Sequence, residues 1–329
     1  MLDKIRTYVK LARLHSSVLL GVAPVCGAIA MGVTLPFAHY LSLFLIGLFV
    51  HIYWFVLNEY ADIEVDRKSK DLSGKPLVSG AISPTSALAF LIFALVCSFI
   101  LLSFFPVERI PYMAIFLSAT VISGGLYDIY GKRIVIADYI LAFVPSMLCL
   151  MGAFSVGSSL TPLALGISAI AYIQGLGQNV AAGLKDVDHD YLAGAKTTPL
   201  RLGVKVVDGK FIVPTLFTSY MVLITFAKGL AAILPIYFGT PYSLIQIFLI
   251  ILSLLAVFFL AMKFCRMKNF EREKLIRYIG VHEIFTWFLA PFMLLNLLGP
   301  LNAFLIGIFP IVWLFVFLKI QYGSFKPEI

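Results

Sequence analysis

Charge is scarce in this sequence: Lys, Arg, Asp and Glu together make up 13% of 329 residues, while 61% are hydrophobic. Soluble globular domains carry about 25% charged residues, so the scarcity excludes that class and leaves an integral membrane protein. Cysteine is rare as well. Cys26, Cys97, Cys149 and Cys265 are scattered without any CxxC spacing, which excludes a thiolate metal site or a disulfide framework and reads as buried thiols. The alternating ten-residue segments of a β-barrel are missing, and long apolar runs stand in their place. The first fifteen residues, MLDKIRTYVKLARLH, lack the apolar core and cleavage site of a signal peptide. They read as a basic interfacial helix with Leu2, Ile5, Val9 and Ala12 available to face lipid.

Apolar runs between polar breaks fall at 16–33, 39–61, 84–105, 111–130, 135–157, 160–182, 211–235, 243–263, 279–298 and 302–319. Each approaches the roughly 20 residues a spanning helix needs, so the expected fold class is an all-α polytopic bundle. Placing the N-terminus in the cytoplasm and alternating sides puts 23 of the 25 Lys and Arg on the cytoplasmic face. Only Arg109 and Lys228 remain for the far side. This asymmetry places both termini in the cytoplasm of a multi-pass cell-membrane protein. It also accounts for the net charge of +8 through anionic lipid, with no nucleic acid partner required. The long connections 62–82 and 183–210 lie on the same side, and each opens with acidic residues. The chain therefore reads as one membrane domain of two related halves, 1–157 and 158–319.

The chemistry concentrates in NEYADIEVDRK, Asn58 to Lys68, and in GQNVAAGLKDVDHD, Gly177 to Asp190. Asn58, Asp62 and Asp66 are spaced i, i+4, i+8, and Asn179, Asp186 and Asp190 are spaced i, i+7, i+11. Each trio shares one helical face, whereas Glu64 and Asp188 point elsewhere. Stacked carboxylates repel one another and are costly beside hydrocarbon unless they meet a cation. Oxygen ligands of this kind suit Mg²⁺, which takes one or two carboxylates together with substrate phosphates. Two facing clusters could hold metal ions on either side of a diphosphate. A single cluster would read equally well as a solvated helix end paired with Arg67, Lys68, Lys70 or Lys185. Two with the same DxxxD spacing, each preceded by Asn, point to function.

NEYADIEVD followed by GKPLVSG, and KDVDHDYLAGAKTTPLRLG in the second half, resemble the UbiA-type intramembrane prenyltransferase superfamily. The likeness extends to Arg13, to LYDIYGKR after the fourth run and to NFEREKLIRYIGVHEIF before the ninth. It implies nine helices around a central cavity open to lipid at one side, with the run at 302–319 as an added tenth helix. It further implies a Mg²⁺-dependent enzyme that takes a polyprenyl diphosphate and a lipophilic acceptor, with no obligatory protein partner. Carried over by position, Asn58, Asp62 and Asp66 hold one ion, and Asp186 and Asp190 the other. Arg13, Arg67, Lys75 and Lys132 contact diphosphate oxygens, with Asn58, Asn179 and Lys196 alongside. Tyr127 donates a hydrogen bond there, although YDIYGK also offers Tyr130. Glu59 stands where the family usually has Asp, and His15-Ser16-Ser17 replaces a frequent proline.

The implied reaction is ionisation of an allylic carbon–oxygen bond in a pocket kept dry by the bilayer. The acceptor expected first is an aromatic or quinone precursor such as a hydroxybenzoate. A prenylglyceryl phosphate, giving an ether lipid, is the alternative. His51 and His282, within apolar runs, are further leads as acceptor contacts or proton carriers. A CDP-alcohol phosphatidyltransferase lacks support because its DG-xx-AR pattern is absent from both clusters. A secondary transporter would place its ionisable groups near mid-bilayer, whereas these gather at helix ends.

Overall fold

Hydrocarbon offers no partner for a bare N–H or C=O, so apolar runs of this length must satisfy their backbone internally as helices. The computed structural model describes residues 2–67, 72–131, 134, 136–192 and 194–325. Its first half holds α1 (Leu2–Leu11), α2 (Val18–Ile29), α3 (Phe37–Ala61), α4 (Ile63–Asp66), α5 (Pro84–Ile100), α6 (Ile110–Tyr130) and α7 (Ala137–Phe154). The second holds α8 (Pro162–Gly183), α9 (Val187–Leu192), α10 (Thr198–Arg201), α11 (Thr215–Tyr237), α12 (Leu244–Cys265), α13 (Arg272–Trp287), α14 (Leu289–Met293) and α15 (Leu295–Tyr322).

Small polar residues set several starts. Ser83 accepts from the Ser86 N–H ahead of Pro84, and Thr161 accepts from Ala164 ahead of Pro162. Ser243 and Gln246 form a reciprocal capping box at α12. The four cysteines are free thiols, three of them buried.

Among the described residues, seven helices are long and apolar enough to cross a membrane: α3, α5 with its 3-10 extension to Phe104, α6, α7, α11, α12 and α15. α1 and the segment Leu14–Ile29, bent by 55°, would together make an eighth. The runs at 160–182 and 279–298 are helical but do not meet that test. Gln174, Gln178 and Asn179 dilute α8, and α13 is only 16 residues long before the chain breaks at Phe288. The run at 211–235 is also corrected at its start. Residues Lys205–Val207 (β1) and Lys210–Ile212 (β2) pair as an antiparallel hairpin, so the helix begins only at Thr215. Asp208 and Gly209, at φ 50° and 73°, make the two-residue turn this hairpin needs.

α2 and α7 approach more closely than any side chain would allow. A Cβ on Gly27 would lie 1.9 Å from the Cys149 carbonyl oxygen, and one on Gly152 would lie 1.8 Å from that of Pro24. Small residues serve membrane bundles in this way because lipid tails provide no hydrophobic drive for helix association. Phe93, Phe226, Phe248 and Phe259 are exposed on outer faces, where they meet lipid.

Lys228, one of the two basic residues that charge counting leaves to the far side, lies inside the helix of the run 211–235. It is fully buried within α11, with Nζ donating to Thr286 Oγ1 of α13 at 3.1 Å. His282, also fully buried, lies one turn before Thr286 and pairs through Nδ1 with Glu283 at 2.9 Å. These groups tie α11 to α13, since an isolated cation in hydrocarbon is costly.

Candidate active site

The first acidic motif sits where α3 ends. The Asp62 N–H bonds to the Asn58 carbonyl at 3.1 Å and the Asp66 N–H to the Asp62 carbonyl at 2.8 Å. These i to i−4 bonds carry a helical path through the turn at Asp62, so the three residues stack one turn apart. Their partners differ. Asp66 is buried and accepts from Lys75 Nζ at 2.7 Å. Glu59 is 4% exposed and joins two cations, Arg13 and Lys75, the latter at 3.1 Å. Glu64, exposed, takes Arg67 at 2.9 Å. The two are neighbours three positions apart on an exposed helical face.

Lys75 reaches the motif because the loop after α4 folds back. The Val78 and Ser79 N–H groups both bond to its carbonyl, at 3.1 and 2.9 Å, and close a turn around it. Arg13 arrives from the break between α1 and α2, and its guanidinium also lies 5.6 Å from the Phe55 ring.

A carboxylate that pattern reasoning passed over lies between α3 and α6. Asp128 Oδ1 accepts from Asn58 Nδ2 at 3.1 Å and from Trp54 Nε1 at 3.0 Å, while Oδ2 is buried without a partner among the described residues. It lies within LYDIYGKR, and its position four residues before the basic pair was the available signal. Because it orients the Asn58 amide, Asp128→Asn is expected to lower prenyl transfer about tenfold while leaving melting within a few degrees. Steady-state kinetics checks this, and unchanged rates would remove Asp128 from the site.

The second motif is wound more tightly. α8 passes through a 3-10 turn, Leu184–Asp186, into α9. Asp186 pairs with Lys185 at 2.6 Å. Asp188, facing away from Asp186, takes the Arg272 guanidinium at 2.7 and 2.9 Å, and Arg272 Nε also caps the Lys185 carbonyl at 2.9 Å. Arg272 thus anchors the start of α13 to this motif. The Asn179 side-chain N–H₂ is buried without a partner among the described residues. Lys196 is exposed, and Lys132 lies outside the described residues.

Tyr127 is half-buried at the end of α6, next to Asp128 in the chain. Tyr130 is exposed. His51 is buried and engages the carbonyls of Ala12 and Arg13 at 3.1 and 3.3 Å; its ring nitrogen is used structurally.

Among the described residues, no three His, Cys, Asp or Glu side chains form a group that could hold a metal ion alone. The donor set still fits Mg²⁺, which needs only one or two carboxylates when phosphate oxygens complete its shell. Every acidic group offered is an oxygen donor, and Asp66 and Asp186 are each balanced here by a lysine.

The sequence matches the UbiA prenyltransferase family over residues 18–289. The chain belongs to that family. This UbiA-family prenyltransferase is 23% identical over 226 residues to the digeranylgeranylglyceryl phosphate synthase of Pyrococcus abyssi, a match covering 66% of this chain and 78% of the relative. It is 28% identical over 171 residues to the 4-hydroxybenzoate octaprenyltransferase of Aliivibrio fischeri, covering 51% of this chain and 58% of that one. A UbiA homologue from Archaeoglobus fulgidus, solved with DMAPP and Mg²⁺ bound, shares the fold. Its TM-score is 0.57 at 17% identity, covering 97% of this chain and 100% of that chain. The family match ends inside α14, so α15 lies beyond it.

Proposed function

We propose that this enzyme transfers a polyprenyl group from a Mg²⁺-bound prenyl diphosphate to the polar head of a lipophilic acceptor. The observation carrying the reading is the cluster at the first motif, where Arg13 and Lys75 gather on Glu59 and Lys75 also meets Asp66 at 2.7 Å. Cations and carboxylates gathered at one helix end make a place for a diphosphate and its ions. Asn58, Asp62 and Asp66 would hold one Mg²⁺ and Asp186 and Asp190 the other; bound there, the ions would neutralise the diphosphate. Lys75 and Lys185, which balance Asp66 and Asp186, are then free to turn to phosphate oxygens.

The chain's own residues do the rest. Arg13, Lys75 and Tyr127 meet the charge that grows on the departing diphosphate as the allylic carbon–oxygen bond breaks. The surrounding apolar helices exclude water that would otherwise capture the allylic cation. The acceptor oxygen or ring carbon then bonds to that carbon and releases a proton. We take the bundle to enclose a central cavity for the prenyl chain, formed by nine helices, with α15 as the tenth. Both termini are assigned to the cytoplasm with the two motifs. The contact between Arg6 Nε and the Gln321 carbonyl, 315 positions apart, supports placing the ends on one face.

For the acceptor, the Pyrococcus relative supports a prenylglyceryl phosphate, because its match covers more of both chains than the Aliivibrio one. That second relative keeps an aromatic acid as the other reading. Purified protein given Mg²⁺ and labelled prenyl diphosphate should release diphosphate only when the right acceptor is supplied, and EDTA should remove the activity. Running a prenylglyceryl phosphate and a hydroxybenzoate side by side separates the two acceptors. Full activity in EDTA would sink the metal-dependent mechanism.

A further inference from the structure

The chain breaks sharply between α1 and α2, and the residue at the break is Arg13. Its backbone is left-handed, at φ 45° and ψ 46°, a conformation that an arginine adopts only under outside restraint. The break interrupts the helix ladder, and the carbonyls of Arg13 and Leu14 accept locally from Ser16 and Ser17. Side chains from distant elements also reach the carbonyls around the break. Gln321 Nε2 of α15 donates to the Val9 carbonyl at 2.9 Å, and Trp313 Nε1 of α15 donates to that of Leu14 at 2.7 Å. His51 of α3 covers the carbonyls of Ala12 and Arg13. The Gln321 Oε1 accepts from His15 Nδ1 at 2.6 Å, and Gln321 is only 3% exposed. The Trp313 indole is itself fixed among Phe44, Phe309 and Phe317.

α15 therefore grips the chain on both sides of Arg13, at Val9 and at Leu14 and His15. The guanidinium so placed pairs with Glu59 in the first acidic motif. We propose that α15, which lies outside the family match, is a positioning element of the active site. Gln321 and Trp313 hold the break in the conformation that aims Arg13 at the diphosphate. The inference rests on the reading of Arg13 as a diphosphate contact. A helix that merely packed against the bundle would need no polar side chains aimed at these carbonyls. A buried amide is costly to install unless it is satisfied, and both the Gln321 amide and the half-buried Trp313 indole find their partners at this break.

The test is a kinetic cycle on the full-length enzyme in detergent or nanodiscs, with MgCl₂ and a labelled prenyl diphosphate. Trp313→Phe keeps the ring and removes the donor; Gln321→Leu keeps the bulk and removes both polar atoms. Each should lower kcat/KM for the prenyl diphosphate about tenfold and leave the KM for the acceptor unchanged. Combined with Arg13→Gln, neither should cost anything further, because coupled residues do not add. Losses that multiply in the Arg13→Gln background, or α15 variants with unchanged kcat/KM beside a defective Arg13→Gln, overturn the positioning role alone. An Arg13→Gln enzyme with normal kinetics overturns the assignment of Arg13 to the diphosphate, and the positioning role with it.

Discussion

Asp62→Asn and Asp186→Asn are each expected to lower prenyl transfer by about 100-fold to 1,000-fold, the range seen when one preorganised electrostatic contact to a transition state is removed. Both substitutions preserve shape, and the helical path through Asp62 uses its backbone, with its N–H bonded to Asn58 at 3.1 Å. Folding should therefore survive, and the loss should appear in rate rather than in melting temperature. The two sites lie in different halves of the chain, so the pair of results tests more than either alone. Equal losses mean that both acidic motifs act on one substrate. Full activity in either variant would reduce the matching motif to a solvated helix end. The assay is diphosphate release from labelled prenyl diphosphate with Mg²⁺ and acceptor.

The second large effect is expected at Glu59, and the contrast is with Glu64, five residues on in the same acidic stretch. Glu59 is 4% exposed and bridges Arg13 and Lys75. Glu59→Gln leaves those two cations near one another with only Asp66 to balance Lys75. The cost is about 1–3 kcal/mol. It falls short of the figure for a fully buried pair because the Arg13 and Lys75 side chains are 38% and 22% exposed. Activity should drop more than tenfold, since both cations lose their aim. Glu64 is 81% exposed and, among the described residues, pairs with Arg67 alone. Glu64→Gln should change stability by less than about 0.5 kcal/mol and leave the rate intact. Thermal unfolding in detergent and steady-state kinetics read both. Equal behaviour of the two variants would contradict the bridging role of Glu59.

Much of this was legible in the chain because membrane helices are read from local properties. Apolar length decided the helices, and the 3.6-residue period placed Asn58, Asp62 and Asp66 on one line, where backbone bonds of the i to i−4 type hold them. Period also put Glu64 and Asp188 off that face, and they meet Arg67 and Arg272. Pairings between elements are not legible in this way. Charge counting cannot see that Lys228, inside the run 211–235, meets the Thr286 hydroxyl of another helix. Asp128 was missed because a lone aspartate has no period.

The sequence by itself determined the class of protein, its all-helical character, the two acidic motifs and, through their resemblance to a family, the reaction. These depend on composition and on spacings of four to eleven residues, which one helix can express alone. Only the tertiary structure decided which cations meet which carboxylates. Arg13 and Glu59 are 46 positions apart, Asn58 and Asp128 are 70 apart, and Arg272 and Asp188 are 84 apart. Over such separations the pairing follows from how helices pack and where the chain breaks, and Gln321 acts at Val9 from 312 residues away.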